Sequence, residues 1–188
     1  MRLFFALVFD EPTLEALVEA RRSFDVETGV VRWIDPSHLH LTLQFLGSVE
    51  ESVLSAVTDA ARGATSMSGS FELRLQGLGS FPAPREKGGG ARVLWAGVSC
   101  CPPLQELFEQ LGSELDRRGV DRDSRSLRPH VTLGRPARRS RKIRLHSPPD
   151  PEVSIATIVV RELRLIESVQ SAAGLQYRVL ERFPLGAP

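Results

Sequence analysis

Residues 3–9 are apolar without interruption and stop at Asp10-Glu11, the pattern of a strand buried on both faces. Leu14, Leu17, Val18 and Arg21 then recur at helical spacing after a Pro12-Thr13 start signal, so a helix follows the strand. Beyond the turn Asp35-Pro36-Ser37, Leu39, Leu41, Leu43 and Phe45 alternate with His38, His40, Thr42 and Gln44 until Gly47. That alternation predicts a strand with one apolar and one polar face. Residues 48–64 have a helical pattern, 71–78 alternate again, and 82–90, with three consecutive glycines, predict a loop. The second half follows a loosely comparable order: a strand at 92–98, an amphipathic helix at 103–118 and a short strand at 130–133 closed by Gly134. Residues 155–166 and 175–180 supply further strand material around a turn at 171–174. Strands interspersed with a few helices, on faces split between apolar and polar, predict an α+β fold with mainly antiparallel sheets. The expected arrangement is bilobal: two such sheets flanked by helices around a central cleft, with residues 1–188 forming a single domain.

Composition narrows this only a little. The 188 residues, 41% hydrophobic and 25% charged, describe an ordinary globular chain with a real core. No stretch reaches the ~20 apolar residues of a membrane-spanning helix, and 3–9 lack the cleavage pattern of a signal peptide, so no membrane partner is expected. The two cysteines, Cys100 and Cys101, are adjacent, which disfavours a disulfide between them and predicts two buried thiols in a reducing cytoplasm.

The chemistry concentrates in two segments, His40-Leu41-Thr42-Leu43 and His130-Val131-Thr132-Leu133. In a strand, residues two apart project from the same face, so each segment presents an imidazole and a hydroxyl side by side while its apolar residues anchor the other face. With seven threonines and four histidines in the chain, one such match is ordinary and two are rare. Paired imidazoles suit in-line phosphoryl transfer, in which one group takes a proton from the nucleophile and another gives one to the leaving oxygen. An unperturbed pKa of about 6.5 keeps both forms of histidine available near neutrality. Threonine hydroxyls and a nearby arginine, Arg135, are expected to hold the phosphate oxygens.

In these segments the sequence resembles the 2H phosphoesterases, named for two His-x-Thr-x motifs, and within them the RNA 2′,3′-cyclic phosphodiesterases, also called 2′-5′ RNA ligases. The resemblance runs through 2–7, 33–47, Phe81-Pro82, 92–98, 128–135, Glu167-Ser168, Gly174 and Tyr177. It implies a bilobal fold in which the His-x-Thr strands form a pseudo-twofold repeat, with no metal or other cofactor. It also implies hydrolysis of an RNA 2′,3′-cyclic phosphate to a 2′-phosphate, His40 acting as proton donor, His130 as proton acceptor, and Thr42 and Thr132 as phosphate ligands. Joining a 5′-hydroxyl to the cyclic phosphate explains the ligase name. The implied partners are RNA ends or cyclic nucleotides, with no obligate protein partner and a monomeric state.

Three other readings stand beside it. His38 and His40 form His-x-His, which zinc favours, but His146, Cys100 and Cys101 lie at no fitting spacing. An RNA-binding module without catalysis needs no matched imidazoles, and another small nucleotide phosphodiester is a third substrate class. Phe45, Phe81, Trp33, Trp95 and Tyr177 are candidates for base stacking or for the core. The chain's net charge of +1, taken alone, argues against nucleic acid, but residues 117–144 hold eleven Lys and Arg against Asp121 and Asp123, a local +9 that leaves −8 for the rest. This block brackets His130 and predicts a basic wall beside the phosphate site.

Overall fold

Each apolar run becomes a strand. The computed structural model describes residues 1–83, 90–138, 142–172 and 174–186. In β1 (Arg2–Val8), Leu3, Phe5 and Leu7 are buried on one face and Phe4 and Ala6 on the other, which accounts for the unbroken apolar run. The Asp10 carboxylate accepts a hydrogen bond from the Thr13 backbone N–H at 3.1 Å and so caps α1 (Glu11–Ala20). The chain continues through β2 (Val31–Trp33), β3 (His40–Ser48), α2 (Leu54–Ser66), β4 (Phe71–Phe81) and β5 (Val93–Val98). Then follow α3 (Pro102–Arg117), β6 (His130–Pro136), β7 (Ser154–Val160), β8 (Glu162–Ser171) and β9 (Gly174–Pro184).

The strands pair antiparallel in the order β7-β4-β5-β6-β3-β1-β8-β9, and β2 pairs with β6 beyond the start of β3. The expectation of two sheets is therefore corrected to one continuous hydrogen-bonded path. The reason lies at the centre, where β6 bonds to β5 on one edge and to β3 and β2 on the other, so no unpaired edge separates the halves. The β3–β6 junction is nonetheless narrow, a single paired position, Leu41 opposite Val131. A second difference concerns 155–166, which divide at Arg161: β7 pairs with β4 at one end of the sheet, and β8 with β1 in the other half.

One sheet face carries the main core, in which Leu3, Leu41, Leu94, Val131 and Leu165 meet Leu17 of α1, Val57 and Ala61 of α2, and Leu107 and Leu111 of α3. The opposite face carries only a small apolar cluster, Phe4, Ala6 and Ile166, with Val8, Phe45 and Tyr177 packed on it. Cys100 is exposed and Cys101 half-buried, both free, because they fall in the turn where Cys101 precedes α3 rather than inside an element. No described helix is long and apolar enough to cross a membrane. Residues 84–89 of the predicted 82–90 loop, and 139–141 of the basic segment, lie outside the described residues.

Candidate active site

The Leu41–Val131 pair decides where the two motifs meet. Both side chains are fully buried in the main core, so their neighbours His40, Thr42, His130 and Thr132 project from the opposite face. On β3 and β6 these four residues therefore flank the one paired position, Leu41 opposite Val131, two on each strand. The four predicted site residues thus share one face at the junction, where charge on His130 acts on His40.

Both imidazoles are oriented in the same way. His40 Nδ1 lies 2.7 Å from the His38 carbonyl oxygen and His130 Nδ1 lies 2.6 Å from the Arg128 carbonyl oxygen. A carbonyl only accepts, so Nδ1 carries the proton in each ring and Nε2 is left for chemistry. His40 Nε2 is 3.0 Å from Thr42 Oγ1 and accepts from that hydroxyl while the ring is neutral. Burial holds the His40 pKa below its ordinary value; the His38 carbonyl opposes this, and charge on His38 and His130 adds to it.

Aromatic rings back each histidine. Phe4 tilts against His40 at 4.9 Å between centroids, and Tyr177 meets His40 edge-on at 5.3 Å. His38, in a turn at Pro36–His38, packs on Tyr177 at 4.8 Å as a rim residue. On the other side Phe81 meets His130 edge-on at 5.2 Å and tilts against Trp95 at 5.3 Å. Trp95 needs Gly79 opposite it, since a Cβ there would run into the indole ring at Cζ2. Of the five aromatic candidates, Phe81, Trp95, Tyr177 and Phe45 lie on the site face, whereas Trp33 packs on the core beside Phe24.

Arg135 reaches this face through an irregularity. Five residues from His130, strict alternation would send it to the core side. The β5–β6 register, however, pairs Leu94 with Gly134 and Trp95 with Thr132, leaving Leu133 as an extra residue. Leu133 and Gly134 are both buried on the core side, so the parity flips and Arg135 emerges on the face of His130 and Thr132. Its charge is felt by Tyr177, whose pKa burial raises while Arg135 and Arg2 pull it down.

The basic wall is narrower than the sequence count predicts. Arg117 and Arg118 bind Glu114, Arg122 binds Asp116, and Arg125 binds Asp123, whose carboxyl its hydrogen bonds help lower to about 2. Arg128, Arg135 and Arg138 have no carboxylate partner among the described residues. Arg32 is the residue that sequence reasoning missed: exposed on three-residue β2, it lies directly opposite Arg135. Its only signal was the apolar–polar–apolar alternation of Val31, Arg32 and Trp33, too short to predict a strand. No group of three or more His, Cys, Asp or Glu able to hold a metal converges among the described residues.

A family model described as the 2′-5′ RNA ligase superfamily matches residues 10–168. The chain belongs to the 2′-5′ RNA ligase superfamily. It is 30% identical over 183 residues to an Archaeoglobus fulgidus protein named RNA 2′,3′-cyclic phosphodiesterase, covering 97% of this chain and 99% of that one. Among solved structures, a Thermus thermophilus protein superposes with a TM-score of 0.82 at 28% identity, covering 100% of this chain and 99% of the other. Escherichia coli LigT in its apo form superposes with a TM-score of 0.77 at 28% identity, covering 98% and 97%. The mixed α/β fold, antiparallel sheet and few helices are those of this superfamily, and the resemblance seen in the sequence holds over nearly the whole chain.

Proposed function

We propose that the chain hydrolyses RNA 2′,3′-cyclic phosphate ends to 2′-phosphate ends without a metal ion, as a cytoplasmic monomer. In this reading residues 1–188 act as one bilobal unit, its halves related by a pseudo-twofold at the β3–β6 junction. The observation that carries it is the convergence of His40, Thr42, His130 and Thr132 on one face beside the Leu41–Val131 pair, with Nδ1 of both rings tied to a carbonyl two residues back. The name of the Archaeoglobus relative supports the same substrate.

His130 Nε2 takes a proton from water as its oxygen bonds to phosphorus, the P–O3′ bond breaks, and His40 Nε2 gives its proton to the departing 3′ oxygen. Thr42, Thr132 and Arg135 hold the non-bridging oxygens, where negative charge builds up. Burial lowers the pKa of His40, the proposed acid, and its substrate opposes that shift. An arriving phosphodiester anion favours the imidazolium and offsets the burial that disfavours it. The 2′-5′ joining reaction uses the same groups in the same roles, with a 5′-hydroxyl in place of water.

His40→Ala and His130→Ala are each expected to slow turnover of 2′,3′-cyclic AMP by roughly 10² to 10⁴ while the fold survives. The wild type should release the 2′-phosphate. Near-normal turnover by either variant, or a 3′-phosphate product, overturns the assignment.

A further inference from the structure

We propose that Arg32, together with Arg135, forms a second phosphate site that grips the RNA chain one nucleotide before the cyclic end, making an oligonucleotide rather than a mononucleotide the preferred substrate. The proposal rests on the phosphodiesterase reading above.

Arg32 and Arg135 are directly opposed across the β2–β6 pair, an arrangement of like charges that costs stability in a sheet. Nothing among the described residues relieves it. Neither arginine has a carboxylate partner among the described residues, and the acid nearest Arg32 in sequence, Asp35, accepts instead from the Ser37 backbone N–H at 2.9 Å. Both side chains are exposed, so the pair is open to a ligand. A phosphodiester is the anion that turns opposed guanidiniums from a liability into a clamp.

The face is the right one. Val31 and Trp33 pack on Gly134, where an added Cβ would stand 2.6 Å from Val31 Cγ1 and 2.9 Å from Trp33 Cε3. Arg32, between them, therefore projects from the opposite side, the face that carries Thr132 and, beyond the extra Leu133, Arg135. Arg135 lies beyond Thr132 along β6 with the extra Leu133 between them, and Arg32 lies one strand further out, on β2. Arg135 thus serves the reacting phosphate as well as the second one, while Arg32 serves the second alone. Arg32 also continues the row of β3 beyond His40, because β2 and β3 pair in turn with the same edge of β6. His40 protonates the 3′ oxygen, so the terminal ribose lies on its row, and the phosphate preceding that ribose falls toward Arg32.

The test compares wild type, Arg32→Gln and Arg32→Lys on 2′,3′-cyclic AMP and on a tetranucleotide with a 2′,3′-cyclic phosphate end. Arg32→Gln is expected to raise the tetranucleotide KM about tenfold and to flatten the slope of log kcat/KM against log salt by about 0.7, the loss of one single-strand phosphate contact. Arg32→Lys should keep the salt slope and lose part of the affinity, having the charge without the fork. Cyclic AMP, which has no second phosphate, should be turned over within about twofold of wild type by both variants. Equal losses on both substrates, or no loss on either, overturn the proposal. Fluorescence-anisotropy binding of the same tetranucleotide with a 3′-phosphate end separates the two readings. If the wild type hydrolyses neither substrate, the phosphodiesterase reading falls, yet a tenfold binding loss in Arg32→Gln still upholds the second phosphate site and an unchanged affinity rejects it.

Discussion

At the scale of single residues, His40 links the site to stability. Burial lowers its pKa in the folded protein, so between that value and the unfolded value of about 6.5 the unfolded chain binds the additional proton. The associated stability is complete above pH 6.5 and is lost as pH falls through the lowered pKa. Melting temperature should drop between pH 7.5 and 5.5, and His40→Gln, which cannot take up the proton, should drop by less. An identical pH dependence in the two proteins would remove His40 from the linkage. The same coupling of two imidazoles predicts a bell-shaped kcat/KM profile whose limbs belong to the pair. A flat profile from about pH 5 to 9 would contradict two-histidine catalysis. His40, Thr42, His130 and Thr132 were legible in the sequence because a period of two is a property of any strand. Arg135 was legible by identity only, since its facing depends on an extra residue that the sequence does not mark, and Arg32 was hidden in a strand of three residues.

At the scale of elements, Gly134 does two jobs. It occupies the bulge that turns Arg135, and its missing side chain gives Val31 and Trp33 the space to seat β2. Gly134→Ala puts a methyl where two side chains already stand, at a cost of about 1–3 kcal/mol by chemical denaturation. Because β2 carries Arg32, the variant should also lose tetranucleotide affinity while retaining more of its turnover of cyclic AMP. A variant as stable as wild type would mean that β2 is not held by this contact. Long runs such as β1 and α3 were legible because their burial pattern spans many residues. The division at Arg161 was not, because β7 and β8 are both apolar enough to form one strand, and only their partners, β4 and β1, separate them. The single sheet was illegible for the same reason: pairing across the centre is a contact between residues ninety apart in sequence.

At the scale of the whole molecule, β3 and β6 are joined in the sheet at Leu41 and Val131, and the four proposed catalytic residues flank that join. Leu41 is fully buried, so Leu41→Ala should cost roughly 2–5 kcal/mol, and Leu107→Ala, equally buried on α3, should cost a similar amount. Their effects on catalysis should diverge. Relaxation around a cavity at Leu41 moves His40 and Thr42 relative to His130 and Thr132, and misplacement of about 1 Å between groups that must act on one phosphorus is worth up to ~10² in rate. A cavity at Leu107 relaxes within the helical layer and leaves the four residues in place. Measured where both variants remain folded, kcat on 2′,3′-cyclic AMP should fall at least about tenfold for Leu41→Ala and stay within about twofold for Leu107→Ala. Equal kcat values for two equally destabilised variants would show that the join does not set the geometry of the site, and that each half holds its histidine independently of the other.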